Sequence, residues 1–129
     1  MVQNNPKEAQ QSIMADLFEA CFIEMVQGLA EKNNLKKGDF AEQVWPESST
    51  HVARNRWIRM RTTDSRTGKP VSCSLADAYR MAMALGLQMA YVTLQAENLA
   101  EQRFKQMDQS GELEHEVKAP RRKRQAAAG

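Results

Sequence analysis

The chain has 129 residues, 18 Lys plus Arg against 16 Asp plus Glu, a net charge of +2 and 42% hydrophobic residues. That is one ordinary domain, or one small domain with tails. Two cysteines make no disulfide framework, no apolar run approaches the ~18 residues of a membrane span, and MVQNNPKEAQQ lacks the basic-then-apolar order of a signal peptide. Secreted, membrane and collagen-like classes are excluded, a multidomain enzyme is disfavoured, and a cytoplasmic setting with reduced thiols is expected.

Met, Leu, Ala, Gln and Glu dominate, all helix formers; the expected fold is all-α. The first helix is predicted from about Pro6 or Ser12 to about Lys32, with Ile13, Leu17, Cys21, Met25 and Leu29 on an apolar face widened by Phe18, Phe22 and Val26. Asn33, Asn34 and Gly38 mark its end and a loop. A short second helix fits Asp39 to Trp45, capped by Asp39, with Phe40, Ala41 and Val44 inward and Pro46 closing it. A third starts at Ser48 or Ser49 and runs to about Arg61; residues 62–73 form a polar loop. Ser74 opens a fourth, resembling a capping box with Asp77, its core stripe read as Leu75, Ala78, Tyr79, Ala82 and Leu85, and Gly86 suits the left-handed C′ position. The fifth is predicted from about Gln88 to Gln109, with Met89, Val92, Ala96, Leu99, Phe104 and Met107 as its stripe. The organisation expected is an extension over 1–11, a helical domain over 12–110 and a disordered basic tail over 111–129.

The net charge conceals a segregation. Residues 1–35 carry a net −3, residues 36–73 a net +4 from eight bases and four acids, residues 74–111 a net −1 and the tail a net +2. From Thr50 to Thr63 there are four arginines and no acid. At 100° per residue, Val52, Ala53, Trp57 and Met60 share an arc of roughly 140° that can pack on a core. His51, Arg54, Asn55, Ile58 and Arg59 fall on the opposite arc. Arg reaches guanine O6 and N7 bidentately and Asn pairs with adenine N6 and N7; Arg and Lys neutralise phosphates; Ser49 and Thr50 at a helix start suit phosphate or base edges. The competing reading is an arginine-rich solvated face without a ligand.

The stretch FAEQVWPESSTHVARNRWIRMR resembles the helix-turn-helix unit of the lambda-repressor-like (Cro/XRE) family. Phe40-Ala41 stands where that family opens the first motif helix, Val44 matches its last core position, and Ser48-Ser49-Thr50 stands at the start of the recognition helix. Downstream, SLADAYRMAMALGL resembles the family's fourth helix, most specifically at Ala82 and Ala84-Leu85-Gly86-Leu87. The resemblance covers roughly Leu35 to Leu94. Trp45-Pro46 stands where the family usually has a turn glycine, so the first inward residue of the recognition helix is Val52 or Ala53.

The resemblance implies a compact five-helix domain with its motif at about 39–61 and long first and last helices. It implies base reading by Ser49, Thr50, His51, Arg54 and Asn55, and phosphate contacts from Lys36, Lys37, Gln43, Arg59, Arg61, Arg66 and Lys69. The expected function is sequence-specific binding of double-stranded DNA by a small prokaryotic or phage-type transcriptional regulator. The alternative is a helical protein-interaction module, such as an accessory subunit or antitoxin, that keeps the architecture without reading an operator. Long first and fifth helices have more apolar surface than one small core needs, which predicts a homodimer through either or both.

Other signals are weaker. His51, His115, Cys21 and Cys73 are too scattered for zinc, so no metal is expected. Cys21 reads as core; Cys73 reads as a loop thiol without a placed base. With no Gly-rich phosphate loop or G-x-S-x-G, neither an enzyme nor a cofactor or small-molecule ligand is expected. Trp57 is more often core than a base-stacking platform, and Met81, Met83, Met89 and Met107 suit core or a dimer contact. RRKR at 121–124 fits a nuclear signal, a phosphate-touching arm or an inert tail.

Overall fold

Why each helix starts and stops is visible in its terminal residues. In the computed structural model, which describes residues 6–62 and 70–110, five helices follow in order: α1 (Pro6–Lys32), α2 (Lys37–Val44), α3 (Thr50–Arg61), α4 (Leu75–Ala84) and α5 (Met89–Ser110). No strand occurs among the described residues, so the protein is all-helical there. The 1–11 extension is thus partly absorbed into α1, which takes the earlier of its two starts with Pro6 in the first turn, where a missing N–H costs nothing.

α1 ends as a left-handed cap. Asn34 has φ 63°, and the N–H groups of Asn34 and Leu35 donate to Glu31 O (3.0 Å) and Ala30 O (2.9 Å), the paired bonds of a Schellman motif. α4 ends the same way: Gly86 has φ 72°, and Gly86 N and Leu87 N donate to Met83 O and Ala82 O, both at 2.9 Å. Ser49 and Ser74 cap α3 and α4 by accepting from Val52 N (3.2 Å) and Asp77 N (3.0 Å). Asp39 is not the cap predicted for α2. That helix starts two residues earlier; Lys36 holds the cap position with no side-chain bond to the backbone, and Asp39 sits in the first turn.

The core joins Phe22, Ile23, Val26 and Ala30 of α1 with Phe40, Ala41 and Val44 of α2. Trp45 after α2, Ala53, Trp57 and Met60 of α3, Ala78, Met81 and Ala82 of α4 with Leu85 at its end, and Val92 and Ala96 of α5 complete it. Phe40 meets Trp57 edge-on, ring centroids 5.2 Å apart, a favourable aromatic geometry. The most extensive helix contact is between α1 and α5. Arg103 clamps it, donating to both carboxylate oxygens of Glu24 at 2.8 and 2.7 Å. The two long helices therefore pack against each other within one chain.

Two predicted faces are rotated. Val52 is 50% exposed while Ala53 is fully buried, which makes Ala53 the first inward residue of α3. On α4, Leu75 and Tyr79 were expected in the core but are 80% and 55% exposed, and with Met83 they form an outer i, i+4, i+8 stripe. The residue that turns inward instead is Asp77, only 2% exposed.

Candidate nucleic-acid interface

α3 is held by its inner face and presents the rest. Ala53, Trp57 and Met60 are in the core, whereas Thr50, His51, Arg54, Asn55, Ile58 and Arg59 are exposed. α1 does not cover this face. Ser49 is exposed although its hydroxyl caps the helix. The side chains of His51 and Asn55 are bonded to each other, Nε2 to Nδ2, at 3.0 Å. Arg59 is exposed with no side-chain partner among the described residues, and its carbonyl accepts from Val71 N at 3.0 Å. Five base-reading candidates thus lie on one turn and a half of one helix and its cap.

The phosphate candidates divide. Lys36 and Gln43 are exposed at the start and near the end of α2. Lys37 opens α2, but its side chain is outside the described residues, as are Arg66 and Lys69. Arg61 is half-buried rather than extended into solvent. Its guanidinium lies over the Trp57 ring, 5.2 Å from the centroid, and its Nε is buried without a hydrogen-bond partner. Burial lowers its pKa, opposed by the charge of Glu31. Arg61, Arg54 and Lys36 line a cleft of about 370 Å³ with Gly38, Asp39, Trp57 and Ile58. Three cations therefore border the N-terminal end of α2, where free backbone N–H groups and the helix dipole favour an anion.

α3 has no acid of its own, yet two of its arginines are neutralised from neighbouring helices. Arg54 Nη2 donates to Glu42 Oε2 of α2 at 3.0 Å, both side chains about half exposed. Arg56, named on neither face from the sequence, falls within the inward arc at 100° per residue and turns toward α4. Its guanidinium lies over the Trp45 ring at 5.1 Å and donates to Asp77 Oδ2 at 3.1 Å. Asp77 also accepts from Trp45 Nε1 at 3.0 Å and from Arg80 Nη1 at 3.2 Å. Burial alone would raise the Asp77 pKa, but the Trp45, Arg56, Ser74 and Arg80 contacts outweigh it and hold the carboxyl below its ordinary value. This carboxylate fastens the connection between α2 and α3 to α4 and so sets where α3 points.

That tie is not legible in the local sequence. Its signal was a Trp whose N–H needs an acceptor once buried, and nothing local names the acceptor 32 residues away. Cys73, read as a loop thiol, lies in the segment before α4 and is half-buried: burial, then the charges of Asp77 and Glu19, push its pKa up to about 12. Its N–H donates to Glu19 at 2.7 Å, fixing the start of α4 to α1. Among the described residues no three His, Cys, Asp or Glu gather as a metal site, and no helix is long and apolar enough to cross a membrane.

Compared with known proteins, the chain matches no family model, no curated protein and no solved structure.

Proposed function

We propose that the protein binds duplex DNA, with α3 as a recognition helix in the major groove, and acts as a small cytoplasmic transcriptional regulator of the lambda-repressor-like, helix-turn-helix kind. The observation that carries this reading is the division of α3: Ala53, Trp57 and Met60 are in the core, while His51, Arg54, Asn55 and Arg59 are exposed together. Ser49, Thr50, His51, Arg54 and Asn55 read base edges, and Lys36, Lys37, Gln43, Arg59, Arg61, Arg66 and Lys69 hold phosphates. Arg61 does so from its seat on Trp57, at the cleft beside the start of α2. A homodimer places two such helices about 34 Å apart on a palindromic site. Leu94 and Tyr91 of α5, each about half exposed, are the apolar side chains available to it on that helix.

The test is binding to mixed-sequence duplexes titrated with salt. Neutralising several phosphates makes log K fall linearly with log salt concentration. Arg59→Ala weakens binding to all duplexes about equally and flattens that slope by about 1. A protein that binds no duplex at low salt would falsify the proposal.

The second reading, a protein-interaction module, is favoured by one observation: the outer stripe of Leu75, Tyr79 and Met83 on α4. Exposed apolar rows of this kind suit a partner surface. Under it, a Tyr79→Ser/Met83→Ser variant loses a protein partner while the arginine face is dispensable.

A further inference from the structure

We propose that Glu42 is a positioning residue which, with Gly38, stores Arg54 against α2 in the free protein, so that a duplex must displace this carboxylate before Arg54 can engage it. This deepens the DNA-binding reading and rests on it. The geometry has two parts. Glu42 Oε2 takes the Arg54 Nη2 hydrogen bond at 3.0 Å, from one helical turn beyond Gly38. The Arg54 guanidinium then passes so close over Gly38 that a Cβ there would lie 2.5 Å from Nε and 2.8 Å from Cζ. Only a residue without a side chain leaves that slot open. Gly38 lies within α2 and is not among the positive-φ residues, so its backbone does not require glycine; the passage of Arg54 does. Asp39 borders the same cleft but makes no bond to Arg54.

The Glu42 carboxylate takes guanidinium donors that guanine O6 and N7 would otherwise accept. Glu42 therefore keeps Arg54 occupied until the duplex arrives. The pair is solvent-exposed, so it competes weakly and the displacement is reversible. Arg59, on the same face with no side-chain partner among the described residues, makes the first contact, and Arg54 follows when Glu42 releases it.

The test is a double-mutant cycle on the full chain with a mixed-sequence duplex: wild type, Glu42→Gln, Arg54→Ala and the double variant. Exposed pairs of this kind predict a gain of about two- to fivefold in affinity for Glu42→Gln. The gain vanishes in the Arg54→Ala background. Gly38→Ala, which keeps every charge, shifts Arg54 from the slot and tightens binding in the same direction. In the free protein, the Arg54 Nε resonance moves on Glu42→Gln substitution, a readout that needs no DNA.

Equal gains with and without Arg54 would mean that Glu42 acts only by repelling the duplex, and would overturn the proposal. So would an unchanged affinity in Glu42→Gln while wild type binds. A wild type that binds no duplex at low salt overturns the DNA reading itself, and the displacement step with it. Circular dichroism melts establish that each variant folds.

Discussion

Two arginines two residues apart on α3 meet carboxylates in opposite circumstances. Arg56 pairs with Asp77, a side chain 3% exposed that also accepts from Trp45 and Arg80. Arg54 pairs with Glu42, where the side chains are 51% and 41% exposed. A buried carboxylate must keep its donors, because losing them leaves an uncompensated charge away from water. An exposed one exchanges them with solvent or ligand at little cost. Both distances are close to 3 Å; burial, not geometry, makes one pair a fixture of the fold and the other available for exchange.

The largest way to break this contrast is to remove the inner carboxylate. Asp77→Ala strands the Trp45 N–H and releases two arginines, at an expected loss of about 2–4 kcal/mol in urea unfolding. The arginines, each about half exposed, regain water and limit the cost. Glu42→Ala is expected to change unfolding free energy by less than about 0.5 kcal/mol. Equal losses for the two would erase the distinction.

Next in size is the binding effect of the outer face. Arg54→Ala and Asn55→Ala are each expected to weaken binding to a preferred duplex by about 1–3 kcal/mol, read by fluorescence anisotropy, while leaving the melting temperature nearly unchanged. Arg56→Ala does the reverse, lowering stability first and binding only as the placement of α3 loosens.

Acidification gives a smaller and graded effect. The Asp77 pKa is lower in the folded protein than its ordinary value near 3.8. Its contribution to stability is thus fully present above that unfolded value, and is lost as pH falls through the folded one. Asp77→Asn is expected to flatten this part of the acid limb in a pH series of urea melts. An unchanged acid limb would place the acid-sensitive group elsewhere.

Much of the fold is legible in local sequence because its signals are local. Ser49 and Ser74 cap because a serine hydroxyl reaches an N–H three residues on; Gly86 and Asn34 stop helices because they tolerate positive φ. The inward face of α2 and the outward set on α3 follow from period alone. Three features escape such rules. Asp77 looks solvated until Trp45, Arg56 and Arg80 converge on it from three segments. Leu75 and Tyr79 look like core until α4 is rotated to bury that aspartate. The neutralisation of Arg54 by Glu42 crosses from one helix to the next, so a helix with no acid of its own looked more strongly positive than it is. The segregated charge was readable; its partial compensation was a matter of packing.

The central claim, that the outward face of α3 reads duplex DNA, is tested most directly by selecting bound sequences from a random duplex pool with wild type and with the Arg54→Ala/Asn55→Ala variant. The account predicts that wild type enriches a palindromic site with half-sites about one helical turn apart, and that the variant, still folded, enriches none. Failure of wild type to enrich any sequence, or enrichment of the same site by both proteins, would contradict it.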